Sequence, residues 1–419
     1  MAADPDSPIR DPRTATITPT PASLEPEETS GPTAPAVSAP GPLAPEPAPG
    51  EPLLTAEAEE RVAVATQAQL MWRRFRKHRL AMLGAIAVTL FYLVVVFADF
   101  LAYADPEASD AQRGLIAPQG IQWFHEGRFQ PHVYALVGKR DPATFKRVYT
   151  VDPTQIIPIT FFAPGFDYTL FGFIPANRHL LGVEGANPEE TLFLLGTDLE
   201  GRDMWSRVMY ATRTSLTIGL VAVAVSLVLG VVLGGISGFY GGAADTVIQR
   251  LIEILRSIPT IPLWMGLAAA MPKTWSITQV YFTITIIISL IGWTELARVV
   301  RGRFLSLREE DFVTAADLVG ASQSRIIFVH MVPLFLSHII AATTLALPAM
   351  IISETSLSFL GLGMRPPAIS WGVLLQQAQN VQTVAISPWL LLPSVPVIIV
   401  ILAFNFLGDG LRDAADPYN

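Results

Sequence analysis

The sequence predicts an all-α polytopic membrane protein with six transmembrane helices, a short helix held between two spans, and a mixed loop subdomain between the first two. Three observations carry this prediction. The 419 residues are 51% hydrophobic and only 15% charged, with a mean hydropathy of +0.43. Apolar residues gather into runs long enough to cross a bilayer. One charged stretch, residues 308–333, lies between two such runs and has helical spacing on both sides of a central glycine.

Cysteine is absent, which excludes disulfides and thiolate metal sites. The net charge of −8 says little about partners, because acidic residues concentrate in the N-terminal tail and the loops.

Residues 1–60 are rich in Pro, Ala, Glu and Thr and nearly lack large apolar side chains, so they read as a disordered tail. No basic start leads at once into an apolar core, so the tail does not read as a signal peptide. Residues 61–79 read as a basic juxtamembrane helix ending in Trp72-Arg73-Arg74-Phe75-Arg76-Lys77-His78-Arg79. Positive charge against a first span, residues 80–102, holds that end in the cytoplasm and attracts anionic membrane lipid. The same position argues against nucleic acid as the partner of this cluster.

Residues 103–210 cross to the outside as a partly stranded external subdomain. They carry many aromatics, Pro and Gly punctuation, and β-type residues over 145–159. His125, His132 and His179 lie here near Glu126, Asp141 and Glu184. Their spacing matches no metal-ligand pattern, so they read as surface histidines.

Residues 211–419 form the remaining core. The second span, 215–236, ends in Gly234-Gly235-Ile236-Ser237-Gly238-Phe239-Tyr240-Gly241-Gly242, where small residues allow close helix approach and a turn. No strand precedes it and no Lys-Ser/Thr follows, so it is not a phosphate loop. The third span, 246–271, contains Pro259 and Pro262, which predict a kink suited either to a moving or path-lining segment or to a static bend. Arg250 and Glu253 are spaced to pair on one face.

The fourth span, 280–293, runs on through Glu295, Arg298, Arg301 and Arg303, a cluster that marks a cytoplasmic face. The fifth covers 334–353, with Glu354 at its edge. A carboxylate there is a functional candidate by default, and capping the 356–360 turn is its structural reading. The sixth span, 388–407, returns the C-terminus to the cytoplasm beside the N-terminus.

Within residues 308–333, Phe312, Ala315, Ala316 and Val319 fall at i, i+3, i+4 and i+7, making one apolar helix face. Ala315 and Ala316 are small enough for another surface to approach closely. Gly320 breaks the helix, and Ser322 is placed to cap a second one. A short amphipathic helix between spans suits docking into a groove on another protein; a solvated connecting loop is the alternative.

An intramembrane enzyme needs paired acids, a His-metal cluster or a nucleophile with its base. The spans hold no such set, and Glu253 and Glu295 sit beside arginines. A channel or ion-coupled secondary transporter needs ionisable groups within the membrane, and the spans nearly lack them. The chain has no phosphate loop of its own: Arg140 follows Gly138-Lys139, and Val133 stands where the motif's first glycine would be.

Four blocks resemble a known family. They are Leu195-Gly196-Thr197-Asp198-Leu199-Glu200-Gly201-Arg202-Asp203; Ala315-Ala316 followed by Gly320-Ala321-Ser322; Glu354-Thr355-Ser356-Leu357-Ser358-Phe359-Leu360-Gly361-Leu362-Gly363; and Phe404-Asn405-Phe406-Leu407-Gly408-Asp409-Gly410-Leu411-Arg412-Asp413. With the six-span layout, over about residues 70–419, the chain resembles the second permease of dipeptide and oligopeptide ABC importers.

The resemblance implies a cytoplasmic coupling helix at about 311–321. Asp311, Phe312, Thr314, Ala315, Ala316, Asp317, Gly320, Ala321 and Ser322 would then meet an ATPase subunit. Thr314 stands where the family often has Glu, which removes a salt bridge from that position. Pro259, Pro262 and Glu354 become structural or translocation candidates. The resemblance further implies no cofactor in this chain, with ATP and Mg held by two separate ATP-binding subunits. A sister permease would complete the pore, an extracytoplasmic solute-binding protein would deliver cargo, and the bacterial inner membrane would be the location. Related members carry nickel, opines or other peptide-like solutes, so these stand as alternatives to peptides.

Overall fold

A basic helix leads into the first span. The computed structural model describes residues 67–140, 142, 147–183, 191–272 and 274–415. The predicted tail 1–60, residues 61–66, Asp141, Phe145 and Glu184 lie outside them. Helix α1 (Gln67–Lys77) carries Arg74, Arg76 and Lys77 in its last turn, where cations face the negative end of the helix dipole. His78 breaks it and caps α2 (Arg79–Val96), its Nδ1 accepting from the Ala81 N–H at 3.1 Å. The 18 residues of α2 make about 27 Å of helix, close to the thickness of a bilayer core. Leu83, Leu90 and Leu93 are exposed along it, as on a lipid-facing wall. One further turn, Ala98–Leu101, ends the ascent.

The subdomain predicted as mixed is an antiparallel meander of β1 (Gln122–His125), β2 (Arg128–Arg140), β3 (Arg147–Leu170) and β4 (Ile174–Val183), paired in that order. Val133, Ile159 and Val183 pack with Tyr103, Leu192 and Trp205, seating the sheet where α2 ends and the next helix begins. His132 and His179 are buried, not on the surface as the sequence suggests. Both ring nitrogens of His179 lie 3.0 Å from carbonyl oxygens, those of Asp99 and Phe166. His132 Nδ1 lies 2.8 Å from the Gln130 carbonyl. Neighbouring aromatic rings enclose them; that of Phe166 is centred 4.4 Å from the ring of His179. Among the described residues no group of three or more His, Asp or Glu stands close enough to hold a metal ion.

Helix α3 (Met204–Tyr240) has 37 residues, about 55 Å, so it extends well beyond a bilayer core. It does not stop at Ile236. Gly238 stays helical, and the turn comes at Gly241 and Gly242, both with positive φ. The glycines instead bring α3 against α6 (Ile277–Leu307). A Cβ on Gly234 would stand 2.5 Å from the Ala297 carbonyl oxygen, and one on Gly238 2.7 Å from that of Arg301.

The third predicted span is two helices, α4 (Gly242–Ser257) and α5 (Thr260–Ala269), bent by 86°. Pro259 is the N-cap of α5 and Pro262 lies in its first turn. A proline in that turn forfeits no intrahelical hydrogen bond, so these two start a helix rather than kink one. Arg250 and Glu253 pair at 2.7 Å on the surface of α4, as their spacing predicts.

A capping box of Ser276 and Gln279 opens α6. Then come α7 (Asp311–Leu318), a helical run from Gln323 with a π segment at Ile326–Met331, α8 (Leu336–Phe359), α9 (Trp371–Gln376) and α10 (Ser394–Ala415). Among the described residues five helices are long and apolar enough to cross a membrane, or six if α4 and α5 count as one span. Trp72 and Phe75 of α1, Leu336 of α8 and Leu411 of α10 line one apolar seam. The α1 seam therefore marks one end of the bundle and the sheet marks the other.

Candidate functional site

Two features gather chemistry on this bundle: the short helix α7 and a cleft between α3, α5, α6 and α8. Three residues separate the end of α6 from the start of α7. Val313 anchors it, buried with Phe304, Ile326, Met331 and Phe335. Gly320 closes it with φ +82°. The Ala321 N–H donates to the Ala316 carbonyl at 3.0 Å and the Gly320 N–H to Asp317 at 2.8 Å. That pair of bonds is a Schellman motif, which ends the helix and satisfies its last carbonyls.

The outward face holds Phe312, Ala315, Leu318 and Val319, with Leu318 84% and Val319 88% exposed. Thr314 and Asp317 are on the surface as well. Ala316 departs from the predicted face. It packs inward beside Val313, because the i, i+3 stripe of those two residues meets the core. Ser322 has extended dihedrals at the start of the next turn, but its hydroxyl meets Ser324 at 3.3 Å instead of capping a helix N–H.

The cleft encloses about 560 Å³. Ser226, Trp264, Gly292, Thr343 and Met350 line its walls. Arg256 and Glu295, 3.8 Å apart, put a solvent-exposed ion pair on its rim, and His338 and Arg412 add further polar groups. Trp264 Nε1 and Thr343 Oγ1 are buried there with no hydrogen-bond partner among the described residues. A largely apolar concavity with a few polar groups suits a small solute carrying amide or charged ends. Thr260 places the proline-initiated turn of α5 on this wall, while Pro259 and Pro262 themselves shape the bend behind it. Sequence reasoning missed Trp264, Thr343 and His338. Only the Arg256–Glu295 pairing had a signal, in acids lying beside arginines.

Glu354 lies inside α8, not at its edge, and is fully buried. Its Oε2 accepts from Ser215 Oγ of α3 and its Oε1 from Ser358 Oγ, both at 2.8 Å. Ser215 Oγ in turn accepts from the Trp371 N–H at 3.1 Å, and Ser358 Oγ from the Met364 N–H at 3.0 Å. Glu354 therefore clasps α3, α8 and α9 together; it neither lines the cleft nor caps the 356–360 turn.

The Leu195–Asp203 block is a largely buried knot at the sheet end, with Leu199 and Glu200 exposed. Arg202 Nε reaches Asp198 Oδ2 at 2.8 Å, with Arg207 3.6 Å from the same oxygen. Asp203 caps α3, accepting from the Ser206 N–H and the Tyr103 hydroxyl at 2.7 Å each. Burial pushes its carboxyl up to about 6, against the pull of those hydrogen bonds.

A bundle of apolar spans around a solute-sized cleft, with a capped helix displayed between two spans, defines a polytopic membrane permease. Residues 230–418 match the family described as binding-protein-dependent transport system inner membrane component. Residues 66–118 match the N-terminal TM domain of oligopeptide transport permease C. The chain belongs to this family of ABC-importer permease subunits, which are transport subunits and not enzymes. It is 36% identical over 320 residues to the oligopeptide transport system permease protein OppC of Bacillus subtilis, covering 75% of this chain and 95% of that one. It is 41% identical over 236 residues to OppC of Escherichia coli K12, covering 56% and 76%. The dipeptide transport system permease protein DppC of Alkalihalophilus pseudofirmus is 36% identical over 266 residues, covering 63% and 83%.

Proposed function

We propose that this chain forms half of the path of an ATP-driven importer for short peptides, and that α7 is its coupling helix. The observation that carries the reading is the outward face of α7. Phe312, Ala315, Leu318 and Val319 stand exposed on a helix that Val313 and the Gly320 cap hold rigid. A rigid apolar knob is what a groove on another protein accepts.

The end that bears α7 also carries Arg73, Arg74, Arg76, Lys77 and Arg79, which supports a cytoplasmic position for it and for both termini. Two ATP-binding subunits would take α7 and its counterpart on a sister permease, and they would hold the ATP and Mg. A solute-binding protein on the outer face would load the cleft. Docking strain carried through α7 into α6 and α8 would tilt the cleft walls between outward-open and inward-open states. Peptide cargo follows from the named relatives and fits a cleft with both apolar wall and charged rim.

Purifying the complex with its ATPase subunits tests the coupling role. Leu318→Asp with Val319→Asp is expected to release those subunits while the permease pair stays assembled. Undiminished co-purification and transport in that variant would refute it.

A further inference from the structure

The β3–β4 hairpin carries an aromatic patch that no part of the core uses. Phe161 and Phe162 on β3 and Phe171 and Phe173 at the apex are all more than half exposed, with Phe173 at 74%. Isolated exposed apolar residues need no account, but Phe162, Phe171 and Phe173 gather at the end of the first span, the Phe171 and Phe173 rings centred 6.2 Å apart.

The patch is continuous with the lipid-facing wall of the first span. The Phe171 ring is centred 6.0 Å from that of Phe97, and the Phe162 ring 5.9 Å from that of Phe100. Phe97 and Phe100 end the ascent that α2 begins at Arg79, and that helix is just long enough to cross a bilayer core. Both ring contacts therefore sit at the boundary opposite α1. Directly below, Leu90, Leu93 and Val96 face outward on α2. Beside the patch a polar groove holds Asp99, Asp105, Asp167 and Arg213, groups that belong at the depth of water and lipid headgroups.

The apex backbone supplies an independent sign. Phe171 and Gly172 both have positive φ, 55° and 80°. A turn of that kind is easiest for Asn or Asp followed by Gly. A bulky ring held in the left-handed region is a local strain, and such strain collects where a side chain is needed for function.

We propose that the β3–β4 hairpin is a membrane anchor: Phe171, Phe173 and Phe162 insert into the lipid leaflet around the end of α2, so the sheet lies on the bilayer instead of standing free in water. The occupant of the patch is phospholipid. The inference rests on α2 spanning the membrane and is independent of what α7 docks against or what cargo the cleft carries. An anchored sheet would roof one side of the span bundle, and its orientation would then be set by the bilayer as well as by its seat on Tyr103 and Trp205.

The chain has no cysteine, so an introduced thiol is unique within it, and any cysteines of the partner subunits are replaced before labelling. Phe173→Cys in the full assembly is labelled with an environment-sensitive fluorophore and reconstituted into phosphatidylcholine–phosphatidylglycerol vesicles. Lys139→Cys, on an exposed position of β2, serves as the comparison. The label at 173 is expected to shift to the blue on reconstitution. It should be quenched by lipids bearing a nitroxide at a shallow acyl position, within the roughly 5–10 Å depth of an interfacial segment. Iodide present on both sides of the vesicle should quench the label at 139 and lose that effect at 173. Absence of quenching by nitroxide lipid at 173 overturns the proposal: iodide quenching equal to that at 139 then puts the patch in water, and shielding from iodide puts it against another protein.

Discussion

Asp245 on α4 and Arg301 on α6 form a two-point ion pair, with Arg301 Nε and Nη2 each 2.6 Å from a different carboxylate oxygen. Ser237 of α3 also donates to Asp245, so one carboxylate joins three helices near the turn at Gly241. Arg301 lies ten residues before Asp311, so the pair braces the base from which α7 projects. The fork geometry matters as much as the charge. Arg301→Lys keeps a cation but loses one of the two bonds. It is expected to lower stability by about 1–2 kcal/mol, allowing for partial exposure. In a double-mutant cycle with Asp245→Asn, thermal unfolding of the purified assembly should show less than additive loss.

The glycine stripe of α3 predicts a larger effect. Gly230, Gly234 and Gly238 recur every four residues and face α6, and side chains there would meet Leu296, Ala297 and Arg301. At Gly234 the obstacle is backbone, which cannot swing aside as a flexible side chain can. Gly234→Ala is expected to force the helices apart at a cost of about 1–3 kcal/mol. Gly266, where an added Cβ would meet nothing within 4 Å among the described residues, should tolerate alanine. Comparing the two variants in a detergent thermal-stability assay separates close packing from a general effect of replacing glycine.

The features legible in the sequence alone are the local ones. The spacing of Phe312, Ala315 and Val319 marks an apolar face, and Gly320 marks the end of α7, because each signal lies within a turn or two of helix. Ala316 escapes that logic: its direction depends on where Val313 sits under Phe304 and Phe335, a tertiary fact. Pro259 and Pro262 announce a break without its angle; whether a proline kinks one helix or starts another depends on the residues before it. The apolar run stops near Ser353, which puts Glu354 at a span edge on sequence grounds. Helix α8 instead continues to the Gly361 cap, where φ is +73°. The cleft leaves no trace in the sequence because no short window contains groups from four helices.

Helix α7 allows docking to be separated from folding. Among the described residues a Cβ at Gly320 would have nothing within 4 Å, so alanine there meets no clash and only the left-handed backbone resists it. Gly320→Ala is expected to cost about 1–2 kcal/mol, and Gly320→Asn less, because Asn tolerates that region. Leu318→Asp should leave thermal stability unchanged, since Leu318 is 84% exposed, while weakening capture of the ATPase subunits. If Leu318→Asp lowered the melting temperature as Gly320→Ala does, the outer face of α7 would be part of the fold and not a contact surface.

Asp203 supplies a pH dependence whose sign is opposite to that of an ordinary salt-bridged carboxylate. Burial raises it from 3.8 to about 6. The folded chain therefore binds this proton more tightly than the unfolded chain does. Its contribution is complete below about pH 4 and is lost as the pH rises through about 6, a total of about 3 kcal/mol at most. Asp99 runs the other way: burial pushes it up, but the bonds from Arg213 and Tyr210 outweigh that and hold it below its usual value. The observable is thus the difference between the parent and Asp203→Asn, which keeps a side-chain oxygen for the Ser206 N–H. Stability of the parent relative to that variant should fall between pH 4 and pH 6 and level off above. A relative stability that rises over the same window would mean that Asp203 is held as a carboxylate, with the Tyr103 hydroxyl and the Ser206 N–H outweighing its burial.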